Sequence, residues 1–201
     1  MGVSSHSGAS EEVMESPNQE RILKDIRHAV RVFACFEETF GRIDGPGLAY
    51  LREWSGRYKA TLRQLQEMVG PAVAAVCPKC TEPCCQLSAP TQRIYLALSL
   101  GGFQLVDYLL VRCDTVLPRP ALENAQRNHC PFLGQGCVLP ADSRSYCCTQ
   151  WFCADLAKRL DMSRIRILVE QLREIVSTFS VSRCLSLSAP LPTGSPFKLE
   201  A

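Results

Sequence analysis

The sequence predicts a mainly α-helical single domain in which helical hairpins clasp irregular, cysteine-rich, metal-binding loops. Three observations carry that expectation. Apolar residues recur at helical spacing in the first and last thirds of the chain. Glycine and proline break those runs at short turns, which favours antiparallel helix pairs over one long rod. Most of the 12 cysteines fall in two short, turn-rich segments, Cys77 to Cys85 and Cys130 to Cys153.

The elements follow in order. Residues 1–17 are small and polar and read as a disordered tail, with Ser16-Pro17 placed to cap a helix and put proline at its first position. Within a single domain at 18–184, a helical hairpin is expected over 18–76. Ile22, Ile26, Ala29, Val30, Phe33, Phe36 and Phe40 make the stripe of its first helix. Leu48, Leu51, Trp54, Tyr58, Leu62, Leu65 and Val69 make that of its second, which Gly70-Pro71 is expected to interrupt or end. A metal-binding region spans 77–153. Inside it Arg93 to Leu100 alternates as a strand would, although a helix also fits so short a run, and at most one short strand pair results. Phe103, Val106, Leu109 and Leu110 suggest a short helix, and Val116 to Asn128, with Pro118 and Pro120, a connecting loop. C-terminal helices are expected over 154–184, the last capped by Asp161 or Ser163 and bearing Ile165, Leu168, Leu172, Ile175 and Val176. Residues 185–201 read as a second disordered tail.

Composition narrows the function. At 201 residues and 46% hydrophobic, the chain can bury a core of its own, so its thiols are not there for want of one. A net charge of +2, from 22 basic and 20 acidic side chains, speaks against a nucleic-acid or membrane-surface partner. The most apolar window, Ile94 to Val111, is broken by Gly101, Gly102, Gln104 and Asp107, too often for a membrane span of about 20 residues. The first residues lack the basic start and apolar run of a secretory signal. The expected compartment is therefore cytoplasmic, where thiols stay reduced and clustered cysteines point to metal or redox chemistry.

Cys77 and Cys80 form a C-x2-C knuckle, whose two intervening residues let both sulfurs turn toward one ion, at about 2.3 Å for zinc. Cys84 adds a third donor. Its neighbour Cys85 diverges from it in most backbone conformations, and so serves a second metal, bridges, or packs. Downstream, Cys130 and Cys137 flank the apolar pair Phe132-Leu133 and two glycines that permit a tight return. Cys148 and Cys153 lie across Trp151-Phe152, a second apolar cover that would keep a thiolate site dry.

These spacings resemble the YkgJ-type family of cysteine-cluster proteins, described as zinc- or iron-chelating. The resemblance rests on C-x2-C-x3-C-C at Cys77, Cys80, Cys84 and Cys85, a Cys-Pro-Phe-Leu box at Cys130 to Leu133 with nearby Cys137, and an Arg-x3-Cys element at Arg144 and Cys148 followed by Cys153. It implies eight thiols, Cys77, Cys80, Cys84, Cys85, Cys130, Cys137, Cys148 and Cys153, gathered around zinc or iron, or around an iron–sulfur cluster. The pattern departs from the family at Ser145, where a proline is expected, and at the extra thiol Cys147. The register of Cys147 against Cys148 therefore stays open.

Other residues read more plainly. Cys35, Cys113 and Cys184 sit alone in apolar patterns, where cysteine behaves as a small hydrophobe. His129 could supply an imidazole nitrogen, but with sulfurs enough beside it a supporting role around the site, or a plain surface one, is favoured. Arg144 is either an ordinary surface cation or a counter-charge to clustered thiolates. Three functions compete: a metal-binding protein of structural, storage or electron-transfer role; an iron–sulfur-dependent enzyme of peptide or protein modification, including steps related to lysine methylation; and an exported, disulfide-stapled binding protein. No nucleophile elbow, phosphate loop or H-E-x-x-H motif favours the enzyme.

Overall fold

The computed structural model describes residues 17–76, 104–121, 130, 132, 137–149 and 152–188. These form six α-helices: α1 (Pro17–Gly41), α2 (Gly45–Val76), α3 (Leu105–Arg112), α4 (Ala154–Ala157), α5 (Met162–Thr178) and α6 (Val181–Leu187). Two 3-10 turns, Ala141–Ser143 and Tyr146–Thr149, precede α4. The protein is mainly helical, as its periodicity predicts, with no strand among the described residues. The strand pattern at 93–100 and both tails up to residue 16 and from residue 189 lie outside those residues, and so do the loop residues 122–128.

The spine is α2. Its buried face, Gly47, Leu51, Ser55, Tyr58, Leu62, Leu65 and Val69, steps by three and four residues and so stays on one side of the helix. Against that face pack α3, α5, α6 and the Ala141–Ser143 turn. From α5 come Ile165, Leu168, Leu172 and Ile175, again at helical spacing. Full burial of each such aliphatic side chain contributes about 1.5–3 kcal/mol, which makes this seam the main source of stability. Asp161 starts α5 as expected, its carboxylate accepting from the backbone N–H groups of Ser163 and Arg164 at 3.1 and 3.3 Å.

The first helix is held chiefly through α3. Phe33 and Phe36 meet the Tyr108 ring at centroid distances of 5.9 and 5.1 Å. The Tyr108 hydroxyl donates to the Glu37 carboxylate, to which Arg112 Nε also donates at 3.1 Å. Burial, and then the Glu37 carboxylate, push the tyrosine hydroxyl well above its ordinary pKa.

Two elements differ from the sequence expectation. The second helix does not end at Gly70-Pro71 but runs on to Val76. Beyond the proline, Ala72, Val73 and Val76 still pack on the core, so the apolar stripe outweighs one lost backbone bond. Pro71 itself is exposed, which leaves the carbonyl it cannot serve within reach of water. The fold also extends past 184. Ser180 caps α6 by accepting from the Arg183 N–H at 3.2 Å, and Cys184 is fully buried. Ser188 Oγ donates to the Cys184 carbonyl at 3.1 Å and accepts from the Asp44 N–H at 3.2 Å. The expected tail at 185–201 therefore begins at least four residues too early.

That closure needs Gly47. A Cβ there would stand 2.1 Å from Ser188 Oγ and 2.5 Å from the Cys184 carbonyl oxygen, so only glycine lets α6 cross α2 this closely. Gly45, at the start of α2, has φ +43°, a region that glycine enters without cost.

Candidate metal centre

Helix α3 is the bracket between the spine and the downstream cysteine segment, and each of its ends is tied by a buried charged group. At its N-terminus Asp107 is 2% exposed. One carboxylate oxygen accepts from the Gln104 N–H at 2.6 Å, capping the helix. The other accepts from the Tyr146 N–H at 3.1 Å, and Ser145 adds a side-chain bond. Asp107 thus pins the turn Tyr146–Thr149, which carries Cys147 and Cys148. Burial pushes its carboxyl up to about 7, against the pull of the Gln104 and Tyr146 N–H groups.

At the other end Lys59 reaches from α2 to the C-terminus of α3. Its ammonium donates to the Cys113 carbonyl and, at 2.7 Å, to Thr115 Oγ1. A cation at the carbonyl end of a helix is favourable, while burial lowers the lysine below its usual value. Asp114 follows with φ 56°, a conformation that aspartate tolerates better than most residues.

Of the eight predicted ligands, Cys77, Cys80, Cys84 and Cys85 lie outside the described residues. Cys130 and Cys137 are brought together. The Val138 N–H donates to the Phe132 carbonyl at 2.9 Å, which brings residue 138 back to residue 132, and Phe132 is buried. Burial raises the Cys130 thiol to about 11, opposed by the Phe132 N–H and reinforced by the charge of nearby Cys137. Cys130 is half-buried and Cys137 exposed. Cys148 and Cys153 are both exposed; the first donates its backbone N–H to the Ser145 carbonyl at 3.0 Å, and the second stands at the start of α4. Among the described residues no three His, Cys, Asp or Glu side chains converge as a metal would require.

The three cysteines read as packing residues divide. Cys113 and Cys184 are fully buried, whereas Cys35 is exposed on α1. Arg144 departs from an ordinary surface arginine. Its carbonyl accepts from the Tyr58 hydroxyl at 3.4 Å, and one terminal guanidinium nitrogen donates to Gln66 Oε1 at 3.3 Å. Its Nε is buried and makes no hydrogen bond, the one buried side-chain nitrogen or oxygen so placed among the described residues.

The donor chemistry is of the kind zinc or iron takes: thiolates are soft, and a divalent ion would supply the charge needed to keep the half-buried Cys130 ionised. No family model matches the chain, and neither a curated protein nor a solved structure matches it.

Sequence reasoning missed Asp107 and Lys59. Asp107 reads from the sequence only as a polar break in an apolar window. The signal that could have found it is its position, three residues after Gln104 and inside a helix buried on most sides, where an acid needs N–H donors to be tolerated. Lys59 stands between Arg57 and Arg63, a charged stretch that gives no sign of burial. It falls on the buried stripe next to Tyr58.

Proposed function

We propose that this protein is a YkgJ-like metal-binding protein that holds zinc or iron through clustered cysteine thiolates in the reducing cytoplasm. The observation that supports the reading is the hydrogen bond from the Val138 N–H to the Phe132 carbonyl, beside which Cys130 and Cys137 come within electrostatic range of each other. Two neighbouring thiols would make half of a four-thiolate site. The C-x2-C knuckle at Cys77 and Cys80 directly follows α2 and supplies a second half of the right kind. Cys84, Cys85, Cys148 and Cys153 complete the donor set, enough for two zinc ions or for an iron–sulfur cluster with additional structural thiols.

The test is purification without oxygen, followed by metal and sulfide analysis and a visible spectrum. Colourless protein with stoichiometric zinc, or brown protein with iron and sulfide, is the expected result. The paired change Cys130→Ser with Cys137→Ser should remove at least one bound ion. Metal-free protein whose cysteines are all titratable would overturn the reading. Metal-free protein with no titratable thiols would replace it with a disulfide-stapled, exported one.

A further inference from the structure

Where α2 meets the end of α5 and the start of α6, three aromatic rings carry two arginines. Tyr50 and Trp54 stand one turn apart on α2, with ring centroids 6.2 Å apart. Both meet the buried ring of Phe179, at 5.5 and 6.3 Å. Arg57, three residues on from Trp54, lays its guanidinium carbon 4.5 Å from the Trp54 centroid. From α6, Arg183 reaches over Tyr50 to 5.3 Å from that ring. Both arginines are exposed, and Tyr50 and Trp54 are half-buried.

The donors of these two guanidiniums are unspent, which sets them apart. Arg112 also lies on a ring, that of Phe40, but it donates to Glu37 and to the Thr115 carbonyl. Arg52, Arg63 and Arg173 pair with Asp114, Asp142 and Glu170. The guanidiniums of Arg57 and Arg183 take no acid among the described residues, not even Glu53, which stands one turn before Arg57 on α2. An arginine already held against a ring has little side-chain freedom left to lose, while its N–H groups, which lie in its own plane, stay free to grip a carboxylate two at a time. Tyrosine, tryptophan and arginine are also the side chains that dominate the energetics of protein interfaces. A net charge of only +2 does not give the extended positive field that a nucleic-acid backbone needs.

We propose that this face docks an acidic segment of a partner protein, whose carboxylates pair with Arg57 and Arg183 while an adjoining apolar side chain covers the Tyr50 and Trp54 rings. The inference goes beyond the metal-binding reading and does not depend on it.

The test titrates the full-length, nitrogen-15-labelled protein with a blocked heptapeptide that has leucine at its centre and three glutamates on either side. Saturable shifts are expected at the Trp54 indole N–H and at the Nε–H groups of Arg57 and Arg183, weakening as salt is raised. The same peptide with glutamine in place of glutamate should shift none of them. Arg57→Gln and Arg183→Gln should each weaken binding about tenfold. Lysine at either position should cost about threefold, because the charge stays but the planar fork is lost. Both residues are exposed, so the urea midpoint should hardly move. No saturable shift with the glutamate peptide would overturn the proposal, and so would binding that both glutamine substitutions leave unchanged. A lowered urea midpoint with unaltered peptide binding would also overturn it, since the arginines would then only shield the rings from water. Inorganic tripolyphosphate that saturates the same signals where the peptide does not would overturn it in favour of a phosphate site.

Discussion

The seam along α2 and the segment from Cys137 to Cys153 are both packed on the same scaffold, yet they are held by different physics. On the seam, Leu51, Leu62, Leu65, Ile165 and Leu172 are buried with nothing polar required of them. Along the segment the buried residues include Ser143, Ser145 and Thr149, and the ties are directional: Asp107 to the Tyr146 N–H, Tyr58 to the Arg144 carbonyl, Gln66 to the Arg144 guanidinium. Apolar burial is strong but indifferent to small displacements, whereas hydrogen bonds to fixed partners specify where atoms sit. The first region supplies the stability of the fold. The second uses that stability to place a short stretch of chain bearing three or more thiols.

The contrast breaks most sharply at Leu62. Leu62→Ala should cost about 4 kcal/mol in urea unfolding, the loss of a fully buried leucine plus its cavity, with amide exchange accelerated through all of α2 and α5. Asp107→Ala should cost about 2–3 kcal/mol at pH 5, since it strands two backbone donors. Its faster exchange should be confined to the start of α3 and the turn at 145–149. If exchange accelerates everywhere, the segment is part of the seam and the division fails. The pH dependence sharpens the point. The folded carboxyl titrates near 7 and an unfolded one near 3.9. The folded state thus binds the extra proton between those values, and stability falls as pH rises from about 4 to about 7. The penalty of Asp107→Ala should accordingly be larger at pH 5 than at pH 8.

Two glycines of the same helix give the smallest and most discriminating pair. Gly47→Ala should destabilise by about 1–3 kcal/mol, because α6 must move to admit the methyl group. Gly56→Ala meets nothing within 4 Å and should stabilise by about 0.5–1 kcal/mol through helix propensity alone. Equal effects at the two sites would mean that the close crossing at Ser188 does not hold.

What could be read beforehand follows the same division. Helices α1, α2 and α5 are long and periodic, so a 3.6-residue pattern finds them, and Pro17 and Asp161 mark their starts. Helix α6 escaped because it has only seven residues, rich in serine, whose helical state depends on burying Cys184 against α2. The passage of α2 through Gly70-Pro71 was hidden because local breakers are weighed before tertiary packing is known. At the site, Cys130 and Cys137 were singled out by their spacing, and the described part of that stretch shows the Val138 N–H bonded back to the Phe132 carbonyl. Lys59 and Gln66 could not be read that way, since each acts on a partner far off in the chain; Asp107 had a local sign in its bond to Gln104, but not in its bond to Tyr146.

The bond between Ser188 and Asp44 joins positions 144 residues apart, and it has a bearing on how this chain comes off the ribosome. The apolar side of α2 is made before all the elements that cover it, α5 and α6 being the later ones. Until about residue 188 has emerged, the part of that side which α3 and the Ala141–Ser143 turn do not cover stands open to water. For that interval the nascent chain is open to wrong associations, and the closure at Ser188 ends it.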